Sequence, residues 1–262
     1  MSAAGEQDGK APLSVIVTTF NEGANIGPCL RSARWADEIL VIDSGSTDET
    51  VEAAEQMGGR VLQHPYESPA RQKNWAIPQA RHPWVLILDA DERVTPGLEA
   101  EIRGLLAAGP SHRGYWIYRR NTFLGREIRF GDWGSDRVIR FFSRDHARYP
   151  DVRVHEEMEV DGSVGRLTER MLHHSVRSLD QYAEKMERYS IWWAEDRGEA
   201  GRHASSWKIL THTWGRFIRM YILKGGFLDG GHGLVLSLLS SFSVFQKYAK
   251  LWERDRTEAD PE

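Results

Sequence analysis

The stretch Trp84-Val85-Leu86-Ile87-Leu88-Asp89-Ala90-Asp91-Glu92 restricts the possible folds of this 262-residue chain more than any other. Four consecutive aliphatic residues read as a strand covered on both faces, the condition of strands in a parallel sheet. The run then breaks into acid, alanine, acid, acid. A covered strand that delivers carboxylates at its C-terminal end points them into the crevice where open α/β sheets bind ligands. Two aspartates one residue apart also suit a hard divalent cation, which takes oxygen ligands and leaves positions open for phosphate. The competing reading is a pair of acids ahead of a helix N-terminus, favoured by its dipole.

Upstream, residues 13–20 and 38–43 form two β-branched apolar runs, the first and second strands, and 60–63 a short third strand. Between them lie helical patterns at 25–33, at 46–57 and at 70–80, where Pro78 limits the end. Ser46-Thr47-Asp48-Glu49 fits a capping box for the second of these. Thr95-Pro96 is an N-cap followed by proline at the first helical position, opening a helix to about residue 107. Strand and helix alternating in this way predict a parallel sheet with right-handed crossovers. Beyond Gly109-Pro110, residues 115–118 and 138–142 read as strands, and 178–198, 204–223 and 234–252 as helices. The expected division is a catalytic domain over 12–176 and a helical region over 177–256.

Composition removes several classes. Apolar content of 40% and charged content of 27% are those of an ordinary soluble globular protein. A formal net charge of −4 gives no overall attraction to nucleic acid. The single cysteine, Cys29, excludes an internal disulfide and fits a reducing compartment. Residues 1–10 carry no apolar signal-peptide core. No uninterrupted apolar run reaches the roughly 18–20 residues of a membrane span.

Three strand tips carry polar groups: Thr19, Phe20, Asn21 and Glu22 after the first, Asp43 and Ser44 after the second, Asp89, Ala90 and Asp91 after the fourth. In a parallel sheet such tips share one edge. Asp43-Ser44-Gly45-Ser46 serves equally as a turn with a helix cap and as an acceptor for a base or ribose. Arg71, Lys73 and Asn74 lie on the third helix, as phosphate partners or as a solvated face. Trp133, in a Gly- and Arg-rich loop, either stacks on a sugar or packs. His155, His173 and His174 are irregularly spaced and lack cysteine partners, which argues against a metal site. No G-x-G-x-x-G or P-loop pattern is present.

In their order, Val15-Ile16-Val17-Thr18-Thr19-Phe20-Asn21-Glu22, Val41-Ile42-Asp43-Ser44-Gly45-Ser46-Thr47-Asp48 and Leu86-Ile87-Leu88-Asp89-Ala90-Asp91 resemble the inverting family 2 glycosyltransferases. Val154-His155-Glu156 and the downstream helices further resemble the bacterial lipopolysaccharide-core β-glucosyltransferase branch. The resemblance implies an α/β GT-A fold, Rossmann-like, with a mostly parallel sheet flanked by helices and a helical C-terminal appendage. It implies a hexosyltransferase that uses a nucleotide-sugar, a UDP-sugar being favoured, and an acceptor that is lipid-linked or an envelope saccharide. The 19–22 turn and Asp43 would hold the base, Asp89 would face ribose or metal, and Asp91 would ligate Mg2+ or Mn2+ at the diphosphate. Cation binding stabilises the leaving group, and a base deprotonates the acceptor hydroxyl. Glu156, or its neighbour Glu157, stands where relatives carry that base. His155, Trp133, Arg137 and Arg140 fall on the acceptor and diphosphate side. Lys73-Asn74 replaces the Arg-Asn of many relatives, so either Arg71 or Lys73 meets phosphate. Alternatives are transfer to a polyprenyl phosphate and a silent nucleotide-sugar-binding scaffold.

Between residues 201 and 250 stand seven Lys and Arg and one acid, Asp229. Trp214, Phe217, Ile218, Tyr221 and Ile222 share a helical stripe among them. Basic and aromatic residues together suit a helix lying on an anionic bilayer. The apolar run 234–245 would reach about 18 Å as a helix at ~1.5 Å per residue, short of a ~30 Å hydrocarbon core. The expected placement is therefore peripheral, through about 202–252, on the inner face of the cytoplasmic membrane. The same helices could instead pack on the sheet or form an oligomer interface.

Overall fold

The computed structural model describes residues 10–150 and 157–259. His155, Glu156 and the first nine residues lie outside the described residues. Strands β1 (Leu13–Thr19), β2 (Glu38–Asp43), β3 (Arg60–Gln63) and β4 (Trp84–Asp89) alternate with helices α1 (Gly23–Ala33), α2 (Thr50–Gln56) and α3 (Pro69–Ala76). Then follow β5 (Glu92–Arg93), α4 (Pro96–Ala108), β6 (Gly114–Phe123), β7 (Arg126–Glu127), β8 (Arg137–Ser143), β9 (Ala147–Arg148), β10 (Glu159–Val160) and the long β11 (Val164–Val176). The chain closes with α5 (Leu179–Glu199), α6 (Ser206–Phe217), a wide π turn (Ile218–Leu223) and α7 (Gly230–Ala259).

The main sheet runs β3-β2-β1-β4-β8-β6-β11-β5, with β7 beside β6. Its first four strands are parallel, as the alternation predicts. From β8 onward the pairing turns antiparallel, at β4–β8, β8–β6 and β11–β5. The sheet is mixed, with helices on both faces. Period-two alternation sorts the strands between the two layers. Val15, Val17, Leu86 and Leu88 face Ile26, Leu30, Leu98 and Ile102 of α1 and α4. Ile16, Ile42, Val85 and Ile87 face the opposite way, toward Ala70, Ala76 and Ile77.

Two compact units emerge from the contacts. The first holds residues up to Arg119 and Arg137–His173, and so all of the β1–β4 sheet. The second holds Arg120–Asp136 and His174–Glu262, so β6 and β11 begin in one unit and end in the other. Its core gathers Phe123, Ile128, Val176, Tyr182, Met220 and Leu236. Asp229 is buried there and accepts the backbone N–H groups of Arg129 and Phe130 at 3.1 and 3.0 Å.

Two expectations change. Helix α2 begins at Thr50 and its flanking Glu49 makes no side-chain cap, so the capping box at Ser46 does not form. The cause is Asp43, whose carboxylate takes both the N–H and the hydroxyl of Ser46. Asp48 caps instead, accepting the N–H of Thr50 at 3.1 Å. At the other end, α7 spans 30 residues, and the helical stretch through it is by length and composition apolar enough to cross a membrane. The interrupting serines hide their hydroxyls: Ser237 donates to the Gly233 carbonyl and Ser241 to the Ser237 carbonyl, each at 2.7 Å. Counting uninterrupted apolar residues therefore underrates this helix.

Candidate active site

Register places the three strand tips level. Thr19 pairs with Asp43 and Thr18 with Asp89, so β1, β2 and β4 end together at one edge of the first unit.

Asp89 is the most constrained group there. Its Oδ1 accepts the Thr18 hydroxyl at 3.0 Å and lies 3.7 Å from Lys73 Nζ. Its Oδ2 receives Arg140 Nη2 at 2.5 Å. Burial alone would push this carboxyl up, but Arg140, Lys73 and His173 outweigh it, with the Thr18 hydroxyl, and hold it well below the usual carboxylate range. Behind it, the fully buried Glu92 accepts the Asp89 backbone N–H at 2.9 Å and pairs with Arg119 at 3.2 Å and Arg140 at 3.5 Å. Buried charges of this kind persist only when paired. Ala90 is buried, its N–H bonded to the Thr18 carbonyl at 3.2 Å, so the tip cannot swing.

Asp91 follows on this anchored turn and is half-buried. His173 Nε2 stands 3.4 Å from its Oδ2. The imidazole arrives because β11 pairs with β5, His173 opposite Glu92. Asp89, Asp91 and His173 are thus brought together at one tip, the imidazole on the Asp91 side and the guanidinium of Arg140 on the Asp89 side. Among the described residues no group of three or more His, Cys, Asp and Glu side chains is poised to hold a metal by itself.

The β1 and β2 tips are knitted together. Asn21 adopts a positive φ of 52°, a conformation Asn tolerates better than most residues. Its N–H donates to the Ser46 hydroxyl at 2.8 Å, and its side-chain carbonyl accepts the Thr47 N–H at 2.9 Å. Asp43 is buried and closes its own loop on the N–H groups of Gly45 and Ser46, both at 2.9 Å. Glu22 accepts from Asn25, and Asn25 in turn accepts from Arg93 at 2.9 Å. Among the described residues, the buried Thr19 hydroxyl has no hydrogen-bond partner. A buried hydroxyl left over at a ligand edge is a group that a ligand can satisfy.

Helix α3 closes the other wall. Lys73 is buried, its ammonium 5.3 Å from the centre of the Tyr149 ring. Asn74 grips the Tyr149 backbone, donating to its carbonyl and accepting its N–H, both at 2.8 Å. Gln72 donates to the Ser44 hydroxyl at 3.0 Å. Arg71 is exposed and pairs with Glu67 at 2.6 Å. Of the two cations read from the sequence, Lys73 is the one at the acidic tip.

The remaining residues scatter. Phe20 is 56% exposed at the end of β1. Arg137 is exposed and lies over the Trp116 ring at 4.6 Å. Trp133 belongs to the second unit, edge-on to Phe123 at 6.3 Å. Glu157 is exposed. Sequence reading missed Thr18, Glu92, Arg119 and His173 as members of the cluster. Glu92 had a visible signal, as a third acid on a buried turn. His173 was set aside with His155 and His174 on spacing, and its strand was not recognised. Beneath the tip, Cys29 Sγ lies 3.8 Å from the Asp89 carbonyl, and burial pushes its thiol up to about 12.

The family model "Glycosyl transferase family 2" matches residues 14–154, which include all three tips. The lipopolysaccharide core biosynthesis glycosyltransferase LpsC of Rhizobium meliloti is 30% identical over 96% of this chain and 96% of its own. An uncharacterized glycosyltransferase of Rickettsia felis is 27% identical, over 92% of this chain and 89% of its own. Among solved structures, glucosyl-3-phosphoglycerate synthase of Mycobacterium tuberculosis with Mn2+, UDP and glucosyl-3-phosphoglycerate gives 23% identity and a TM-score of 0.36. That match covers 43% of this chain and 44% of that one, so this chain spans under half its length. S. aureus TarS gives 16% identity and a TM-score of 0.46, over 70% of this chain and 39% of that one. With the family model covering more than half the chain and a relative matched along nearly all of it, the protein belongs to glycosyl transferase family 2.

Proposed function

We propose that the protein transfers a hexose from a nucleotide-sugar, a UDP-sugar by preference, to a lipid-linked or lipopolysaccharide-type acceptor, with inversion and with Mg2+ or Mn2+. One observation carries this reading: the acids ending β4 stand level with the β1 and β2 tips, Asp89 locked by Arg140 and Asp91 beside His173. Asp91, with His173 beside it, would hold the cation, and Asp89 is spent on its own cations. The bound cation would supply charge stabilisation to the departing diphosphate. Lys73, already at the tip, adds a fixed positive charge on the same side. The Thr19 hydroxyl and the loops at Asn21 and Asp43 offer polar groups to a nucleoside. Deprotonation of the acceptor hydroxyl falls to the Glu156-Glu157 pair, with His155 as a donor to the diphosphate. The part of the Rhizobium meliloti relative in lipopolysaccharide core biosynthesis supports an envelope saccharide as acceptor.

The test is a donor screen by thermal shift, with and without Mn2+. A nucleotide-sugar at about 100 times its Kd stabilises by about 2.7 kcal/mol. The expected result is a Mn2+-dependent shift with one UDP-sugar that Asp91→Asn removes. No shift with any UDP- or GDP-sugar would overturn the reading. If Glu156→Gln and Glu157→Gln together leave transfer intact, the acceptor is an anion such as a polyprenyl phosphate, which needs no strong base.

A further inference from the structure

The C-terminal unit leaves open more apolar surface than its own packing uses. On α6 and the π turn, Trp207, Leu210, Trp214, Ile218 and Ile222 recur every three or four residues and all are exposed, Trp207 at 72% and Trp214 at 58%. On α7, Leu234, Leu238, Phe242 and Phe245 make a second exposed stripe. Leu223 and Phe227, exposed between the helices, link the two along the chain. Exposed apolar patches on this scale mark interaction surfaces.

The segment that carries these stripes is basic, with seven Lys and Arg against one acid from 201 to 250. Asp229, the only acid from 201 to 250, is buried and turned inward onto two backbone N–H groups. Arg216, Arg219 and Lys224 converge on the single carboxylate of Asp132, three cations on one anion. Arg202 and Lys208 are exposed at the start of α6.

We propose that this helical face docks on an anionic bilayer surface and lies in the interface, its aromatic stripe at the boundary of headgroups and acyl chains. The charge selects that occupant. A two-fold dimer through the same patch would set the cations of each copy against those of the other. An anionic lipid surface matches the apolar stripes and the basic residues together. Helix α7 lies along the surface, because the face carrying Ser237, Ser240, Ser241 and Ser243 is buried where α7 packs on α5 and α6. The inference extends the reading of a lipid-linked acceptor, and the binding it describes is measurable without donor or acceptor, so either can fail alone.

Flotation of the full chain with vesicles of phosphatidylcholine, alone or mixed with phosphatidylglycerol, tests it. The protein should float with the mixture, stay behind with the neutral lipid, and be released by salt. The pair Trp207→Ser and Trp214→Ser should weaken partitioning by about tenfold or more. Arg219→Gln and Lys208→Gln should each weaken it about fivefold. Unchanged melting and circular dichroism of the variants separate lost docking from lost fold. Equal binding to both vesicles, no binding, or wild-type binding by the tryptophan variant would overturn the proposal. A dimer in light scattering that the tryptophan substitutions dissociate would overturn it too, as would resistance of membrane-bound protein to alkaline extraction, the mark of a spanning helix.

Discussion

Removing the Arg140 side chain would leave Asp89 and Glu92 short of the cation they share. Stripping one partner from a buried ion network costs about 3–5 kcal/mol, because the remaining charges stay buried. Arg140→Ala should therefore lose at least about 3 kcal/mol in urea denaturation, and Arg140→Lys less, since it keeps charge but not the fork. Asp89 also sets a pH dependence. Its folded pKa is depressed, so the unfolded chain binds the extra proton, and the stabilisation is complete above the ordinary carboxylate pKa of about 4. It is lost progressively as pH falls below that toward the lowered value. Stability measured from pH 3 to 7 should drop below about pH 4, and Asp89→Asn should flatten that part of the profile. An unchanged slope would assign the acid sensitivity to other carboxylates. At this scale the tip residues were legible because acids at the end of a covered strand have few other uses. Arg140 was read as facing the acceptor, and its bond to Asp89 joins residues 51 apart in sequence.

Elements with one dominant period were readable almost to the residue, as β2, β3 and β4 show. Strand β11 was not. Only Leu167, Met171 and Val176 of its 13 residues are buried, every fourth or fifth position, so no two-residue alternation announces it. Polar contacts hold it instead. Glu101 of α4 accepts the backbone N–H groups of Thr168 and Glu169, each at 2.9 Å. Thr95 accepts the N–H of Leu98 at 3.2 Å as an N-cap and donates to the Arg170 carbonyl at 3.0 Å. Thr95→Ala should thus exceed the usual cap penalty of about 1 kcal/mol and approach 2 kcal/mol. Thr95→Ser, which keeps both bonds, should stay close to wild type in the same thermal melt. The misread cap at Ser46 has a similar origin, a local motif overruled by a buried aspartate three residues earlier.

The division of the whole molecule follows contacts more than chain order. Residues 120–136 come before β8 in sequence yet pack with the C-terminal helices, where Phe123 and Ile128 meet Tyr182, Met220 and Leu236. A chain ending at residue 176 would keep the β1–β4 sheet and lose those partners together with the Asp229 clamp on Arg129 and Phe130. Uncovering a cluster of this size favours aggregation. Such a truncation should bind a hydrophobic dye or precipitate, whereas adding Phe123→Ser and Ile128→Ser should restore its solubility. Sedimentation of both forms checks this.

The thiol under the acidic tip makes the chain its own reporter. Cys29 is the only sulfhydryl, and it touches the Asp89 carbonyl from below. Held at about 12, it is almost wholly protonated at neutral pH and closed to solvent. A thiol reagent can reach it only when α1 and the end of β4 part. The rate of its reaction with such a reagent therefore clocks the opening of the donor edge, with no label introduced. Any cation or nucleotide that settles on the tip must slow that clock in proportion to its affinity for the closed form.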